Sequence, residues 1–263
     1  MRNPVAMASV NIYKRKSSMK FIVAKDFTAY LEDLERMIQN FSREGSVLST
    51  GRNEIRIFDL NGKSINVKAF KIPNAVNKIA YRFFRKSKAQ RSFEYASILT
   101  QKGIGTPLPI AYAEENRLTF GRSFYLCEHL DCELTFRDLS ATDVQLLQEF
   151  TRFTFQLHEK EIEFLDHSPG NTLIRRNAEK YQFFLVDLNR MNFRKMDFEA
   201  RMKNFSRLTA DEAILRIMAR EYAILYGKPE ELVFEKMQFY THQFQEKFHR
   251  KKRLKKQLKF WKN

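Results

Sequence analysis

Only two cysteines occur in the 263 residues, Cys127 and Cys132, five apart in one segment. That count excludes a disulfide framework and offers no zinc-ligand spacing, and a reducing cytoplasm is the simple inference. No run of about 18 apolar residues exists, so nothing in the sequence reads as a membrane span. Met1 to Ser18 is polar and basic with no apolar centre, so it does not read as a secretory signal, and Met19 is an alternative start. Acidic residues are scarce as well. Asp and Glu number 31 against 47 Lys and Arg, a net charge of +16. A surface that basic wants an anionic partner: nucleic acid, anionic lipid or a phosphorylated substrate. Charge alone does not choose among them. What is plentiful is apolar: hydrophobic residues at 43% and aromatics at 14% exclude disorder. The length suffices for one sizeable core or two small lobes.

The stretch from Ile162 to Asn189, IEFLDHSPGNTLIRRNAEKYQFFLVDLN, carries the densest chemistry. Asp166, Pro169 and Asn171 fit the D-x-x-x-x-N catalytic-loop pattern of protein kinases, with Thr172-Leu173-Ile174 following. Phe183 to Val186 predicts a short buried strand that delivers Asp187 at its end. Phosphoryl transfer needs such a set. One carboxylate must sit at the acceptor hydroxyl, and an amide oxygen plus a second carboxylate must hold Mg²⁺ on the phosphates of ATP. On this reading Asp166 is the base or hydroxyl-orienting group, and Asn171 and Asp187 are metal ligands. An Asp/Pro/Gly/Asn turn between two strands gives the same letters. The order of the other elements therefore decides.

Ala29 to Phe41 carries Leu31, Leu34, Met37 and Ile38 at helical spacing. Ile55 to Leu60 and Ile65 to Phe70 read as strands joined by Asn61-Gly62, a strong hairpin signal, with an earlier strand over Ser46 to Ser49. Lys68 then sits where the third strand of a kinase small lobe carries its phosphate-binding lysine. Lys71 is the rival candidate, and a solvated strand lysine is the plain alternative. Ser87 to Lys102 predicts a helix closed by Gly103. Glu94 on it is the natural partner of Lys68, because it is the only acid between Asp59 and Glu114. Ile110 to Ala113 and Ser123 to Cys127 read as strands, the latter running into Glu128-His129-Leu130. In a kinase this segment is the hinge whose backbone binds adenine, and order alone places Glu128 and Leu130 there. Asp143 to Glu159 predicts a long amphipathic helix leading into the Asp166 loop.

Several segments together carry a family resemblance: Val67-Lys68-Ala69-Phe70, Ser87-Lys88-Ala89 ahead of Glu94-Tyr95-Ala96, Gly103 to Pro109, Leu157-His158, Asn171 to Ile174, Leu185 to Arg190, and Asn204-Phe205-Ser206-Arg207-Leu208. With these the chain resembles the lipopolysaccharide kinases of the Kdo/WaaP (InaA-like) type, small kinase-fold enzymes of Gram-negative bacteria. The resemblance covers Ile55 to Leu208 in order. It implies an α+β, bilobal protein-kinase-like fold, with a small antiparallel-sheet N-lobe and a mostly helical C-lobe. The expected divisions are 1–25 as a tail or edge segment, 26–128 as N-lobe, 129–245 as C-lobe and 246–263 as a basic amphipathic segment. It also implies ATP and Mg²⁺ as cofactors and a sugar hydroxyl of Kdo or heptose in lipid-anchored core as acceptor, at the inner face of the cytoplasmic membrane. Three departures stand out. Phe164 replaces the usual His two residues before the catalytic Asp, Gly51 is the one glycine of the phosphate-covering loop, and Leu188-Asn189 replaces the Phe-Gly pair after the second Asp.

Two basic stretches remain. Lys78 to Arg91 interleaves six Lys or Arg with Ile79, Tyr81, Phe83 and Phe84, and Lys247 to Lys262 carries nine Lys or Arg and no acid. In the second, Leu254, Leu258 and Trp261 share a helix face, which suits an anionic membrane surface. Solvated charge is the plain alternative for both. Nucleic acid is the disfavoured partner: basic residues with aromatics also mark single-strand binders, but no nucleic-acid motif appears. The competing class is a non-catalytic kinase-fold binding module at the membrane, favoured by Phe164 and the thin glycine loop.

Overall fold

The structure is a computed structural model that describes residues 10–14, 19–51, 53–71, 86–115, 121–177 and 180–260. The chain divides into two compact units, Met1–Asp131 with Asp187–Asn189, and Cys132–Val186 with Arg190–Asn263.

The first unit is built on a seven-stranded antiparallel sheet. In chain order its elements are β1 (Val10–Lys14), β2 (Met19–Ala24), α1 (Leu31–Gln39), β3 (Ser46–Ser49), β4 (Asn53–Leu60), β5 (Lys63–Phe70), α2 (Lys88–Gln101), β6 (Pro109–Glu115) and β7 (Ser123–Glu128). The strands lie in the order β1-β2-β6-β7-β5-β4-β3. Asn61 and Gly62 both take positive φ, +52° and +80°, which matches the right-handed twist of the strands they join and sets Leu60 opposite Lys63. That register decides the faces. Phe58, Leu60, Ile65 and Val67 point with Ala111, Ala113, Phe124 and Leu126 into one core against Leu34, Met37 and Ile38 of α1. The alternate residues face the other side, where Phe93 of α2 meets Tyr112 at 5.5 Å between ring centroids. Lys68 lies opposite Tyr125, and Tyr125 opposite Tyr112, so Lys68 belongs to the α2 face.

Met19 to Lys25 departs from the expected tail. β2 is an inner strand between β1 and β6, with Phe21 and Val23 opposite Ala113 and Ala111, so both side chains join the α1 core. The strand of Lys68 is correspondingly the fifth in the chain. The first helix begins at Leu31, after a 3-10 turn over Lys25–Tyr30.

The second unit contains β8 (Leu134–Thr135), α3 (Val144–Glu159), β9 (Ile162–Phe164), β10 (Thr172–Asn177), β11 (Lys180–Leu185), β12 (Met191–Phe193), α4 (Phe198–Asn204), α5 (Glu212–Tyr226) and α6 (Glu230–Phe260). The strands form two small sheets, β11-β10-β8 and β12-β9. The helices supply the core. Leu146, Leu147, Phe150, Phe153 and Leu157 of α3 are buried, as are Ile214, Leu215, Met218 and Tyr222 of α5 and Val233, Phe234 and Met237 of α6. Asp211 caps α5 by accepting from the amides of Ala213 and Ile214, and Gly227 at φ +70° closes it in the left-handed conformation. The described part of the expected basic segment 246–263 is the far end of α6, which runs 31 residues without a break to Phe260. Thr241 is its last buried side chain among those described.

Candidate active site

The loop between β9 and β10 carries Asp166 and Asn171 within the second unit. Its backbone is closed on itself and on its neighbours. The Leu165 amide donates to Arg190 O at 3.1 Å, His167 to Phe164 O at 3.2 Å, Asn171 to Ser168 O at 2.9 Å and Val186 to Asn171 O at 3.0 Å. The Asn171 side-chain amide donates to Asp166 O at 2.8 Å. That bond commits the nitrogen, so Oδ1 is the atom of Asn171 with the chemistry of a cation ligand. The Asp166 carboxylate is 18% exposed, and its Oδ1 receives Arg207 Nη1 at 2.8 Å, with Arg190 Nη1 at 3.5 Å. Over the same loop, the Arg137 amide donates to Pro169 O at 3.1 Å.

Behind the loop lies a buried polar network that the sequence reading did not find. Asn204, the last residue of α4, donates Nδ2 to Phe164 O at 2.9 Å. Its Oδ1 lies 3.2 Å from His158 Nε2 and 3.3 Å from His167 Nδ1. An amide oxygen only accepts, so both imidazoles carry their proton on the nitrogen facing Asn204. His158 Nδ1 then accepts from the Tyr222 hydroxyl at 2.8 Å. Burial pushes both histidines below their ordinary value, His158 to about 3 and His167 to about 4. Phe164, where a histidine is usual, is fully buried and stacks on His167 at 5.8 Å. Here the loop is tied to the helices by His167 and Asn204 rather than by a histidine at position 164.

Lys68 and Asp187 lie together in the first unit. Lys68 Nζ donates to Asp187 Oδ1 at 2.9 Å, and Asn189 Nδ2 donates to the same oxygen at 2.7 Å. Asp187 sits at φ +57° and is 36% exposed. Arg91 Nη1 in turn donates to Asn189 O at 2.6 Å. The expected pairing of Lys68 with Glu94 is not made. Glu94 accepts from Lys86 Nζ at 2.8 and 2.7 Å and from Gln90 Nε2 at 2.9 Å. Gln90 stands one helical turn before Glu94 on the same helix and Lys86 just ahead of the Ser87 cap, so local donors reach this carboxylate. Lys71 is exposed, at the end of β5.

At the hinge, the Glu128 amide donates to Leu108 O at 3.0 Å and the His129 amide to Ser64 O at 2.8 Å. The basic stretch Lys78 to Arg91 falls largely outside the described residues. Its last member, Arg91, is buried and turned inward to Asn189, so it adds nothing to a basic surface. Arg190, Asn204 and Arg207 were legible only as parts of the family segments; the letters alone gave none of them a role.

The antiparallel sheet of the first unit, the helices of the second, and an Asp-x-x-x-x-Asn loop followed by a strand and a second Asp define a protein-kinase-like fold. The lipopolysaccharide kinase (Kdo/WaaP) family matches residues 49–225, well over half of the chain, and the protein belongs to that family. Membership of a kinase family implies ATP as phosphoryl donor together with a divalent metal. Among solved structures, WaaP in complex with acyl carrier protein is similar with a TM-score of 0.59 and 14% identity, over 88% of this chain and 98% of that one. The Rio2 kinase–ADP/Mg²⁺–phosphoaspartate complex from Chaetomium thermophilum is similar with a TM-score of 0.46 and 15% identity, over 90% of this chain and 82% of that one. No curated protein matches the chain in sequence.

Proposed function

We propose that this chain is an ATP- and Mg²⁺-dependent sugar kinase that phosphorylates a hydroxyl of Kdo or heptose in lipid-anchored lipopolysaccharide core, working at the inner face of the cytoplasmic membrane. The observation that carries this reading is the Asp166 loop, whose backbone and Asn171 side chain are pinned while the Asp166 carboxylate stays partly open to solvent.

Each of the two expected ligands offers the oxygen chemistry that Mg²⁺ takes. Asn171 Oδ1 and the Asp187 carboxylate are hard oxygen ligands, and the Asn171 nitrogen is already committed at 2.8 Å. When bound, the ion would neutralise charge on the β- and γ-phosphates. Lys68 would contact the α/β-phosphates, with the Glu128 carbonyl and the Leu130 amide toward adenine. Asp166 accepts a hydrogen bond from the acceptor hydroxyl and aims its oxygen at the γ-phosphorus. As the new P–O bond forms, the bridging P–O bond breaks, ADP leaves with the electron pair and the hydroxyl proton passes to Asp166. Catalysis here is positioning and charge stabilisation rather than covalent chemistry. The exposed basic end of α6 would hold the enzyme on anionic lipid while the acceptor stays in the bilayer.

The test is Mg²⁺-dependent transfer of ³²P from ATP to purified core-lipid acceptors. Transfer that stops with EDTA, and that falls about 10²- to 10⁴-fold in Asp166→Asn with ATP binding kept, supports the reading. Binding of ATP by the wild type without transfer to any core acceptor leaves the non-catalytic module in its place.

A further inference from the structure

We propose that Arg207 is a positioning residue for Asp166: it fixes Oδ1 of the carboxylate, so that Oδ2 is the oxygen presented to the acceptor hydroxyl. This rests on the role given to Asp166 above.

The guanidinium is held from three sides inside the second unit. Nη1 lies 2.8 Å from Asp166 Oδ1 in an ion pair and donates a hydrogen bond to Leu165 O at 3.3 Å. Its other side meets α6, where the Phe244 ring lies 5.4 Å from the guanidinium carbon. A planar cation on an aromatic face loses little freedom when it also forms hydrogen bonds in its own plane. A lysine reproduces the charge but not the flat cation that lies against the Phe244 ring. The residue also carries a cost. Arg207 Nε is buried with no hydrogen-bond partner among the described residues. Arg190 approaches the same oxygen from 3.5 Å, but its side chain is 51% exposed, which makes it the weaker hold.

The loop is otherwise fixed through its backbone. Asn204 takes Phe164 O, Arg190 O takes the Leu165 amide, and Asn171 takes Asp166 O. None of these bonds sets the rotation of the Asp166 carboxylate. Among the described residues, Arg207 and Arg190 are the two groups that do. A carboxylate free to turn presents the wrong oxygen part of the time, and misplacement of about 1 Å can cost on the order of 10²-fold in rate.

The test compares full-length wild type, Arg207→Ala, Arg207→Lys and Asp166→Asn in steady-state transfer, ATP calorimetry and thermal unfolding. Arg207→Ala should lower kcat about 10- to 100-fold, leave ATP affinity within about twofold and regain rate when guanidinium is added. Arg207→Lys should recover little of the rate although it keeps the charge. A folded Arg207→Ala with kcat within about twofold of wild type, beside an inactive Asp166→Asn, overturns the positioning role and keeps Asp166. Loss of rate in both Arg207 variants that guanidinium does not restore and that follows a fall in unfolding temperature also overturns it, because Arg207 is then structural. A fully active Asp166→Asn refutes the assignment of Asp166 itself.

Discussion

Asp187 stands at φ +57°, a backbone region that Asp, Asn and Gly tolerate and branched side chains do not, and its Oδ1 takes both Lys68 and Asn189. Asp187→Asn preserves that backbone and removes the charge. It should abolish ATP·Mg²⁺ binding and transfer together, whereas Asp166→Asn should abolish transfer alone; calorimetry beside the transfer assay separates them. Lys68→Ala should weaken ATP at least about tenfold while Lys71→Ala changes it less than about twofold. A larger effect at Lys71 than at Lys68 would show that the phosphates are read from the other lysine. Glu94 spends its carboxylate on Lys86 and Gln90, so Glu94→Gln should alter ATP affinity less than Lys68→Ala does. The position of Lys68 on a strand was legible because Asn61-Gly62 fixes the hairpin register. Its partner was not, because an ion pair spanning 119 residues is decided by tertiary packing.

At the scale of elements, the Asn204 amide joins α3, α4 and the Asp166 loop, and His158 extends the junction to Tyr222 of α5. Asn204→Ala strands two imidazole donors and the Phe164 carbonyl, and should destabilise the protein by about 1–3 kcal/mol in urea unfolding. The same junction gives a pH dependence. Unfolded histidine titrates near 6.5, and the folded His167 and His158 lie at about 4 and 3. Below pH 6.5 the unfolded chain therefore binds more protons, so stability falls as pH drops from 6.5 toward 4. Glu163, Glu199 and Asp138 have lowered values in the fold, so their contributions are lost at still lower pH. Urea midpoints at pH 7.5 and 5.5 isolate the histidines, and a flat profile between them would contradict burial of neutral imidazole. Helices α2 and α3 could be read from their apolar period. β2 could not, because Phe21 to Val23 is short and follows a polar, basic stretch, and only pairing with β6 reveals it as core. The Asn204 network escaped because its members lie 37 and 46 residues apart.

On the scale of the whole molecule, the net charge of +16 finds its clearest outlet in α6. Residues 246–254 are exposed and rich in Lys and Arg, and no described helix is long and apolar enough to cross a membrane. Each basic residue near anionic lipid contributes about 1 kcal/mol, and the field fades within about 8 Å at physiological salt. Deleting residues after Phe244 should abolish sedimentation with anionic liposomes at moderate salt and leave ATP binding intact. Raising the salt should release the full chain. Undiminished liposome binding by the shortened chain would place the contact elsewhere. Because Phe244 is kept, the Arg207 contact survives this deletion, so any loss of transfer belongs to the membrane and not to the loop.

The far half of α6 also bears on how the protein can be handled. From Glu246 to Leu254 its side chains are exposed, so that part of the helix is held chiefly by its own backbone hydrogen bonds. A helix held that way opens transiently from its end, and each opening exposes trypsin sites at eight of the thirteen residues from Lys247 to Lys259. Limited trypsin should shorten the chain stepwise within this window before cutting either folded unit. Intact-mass spectra would show a ladder of products, and anionic vesicles should suppress it.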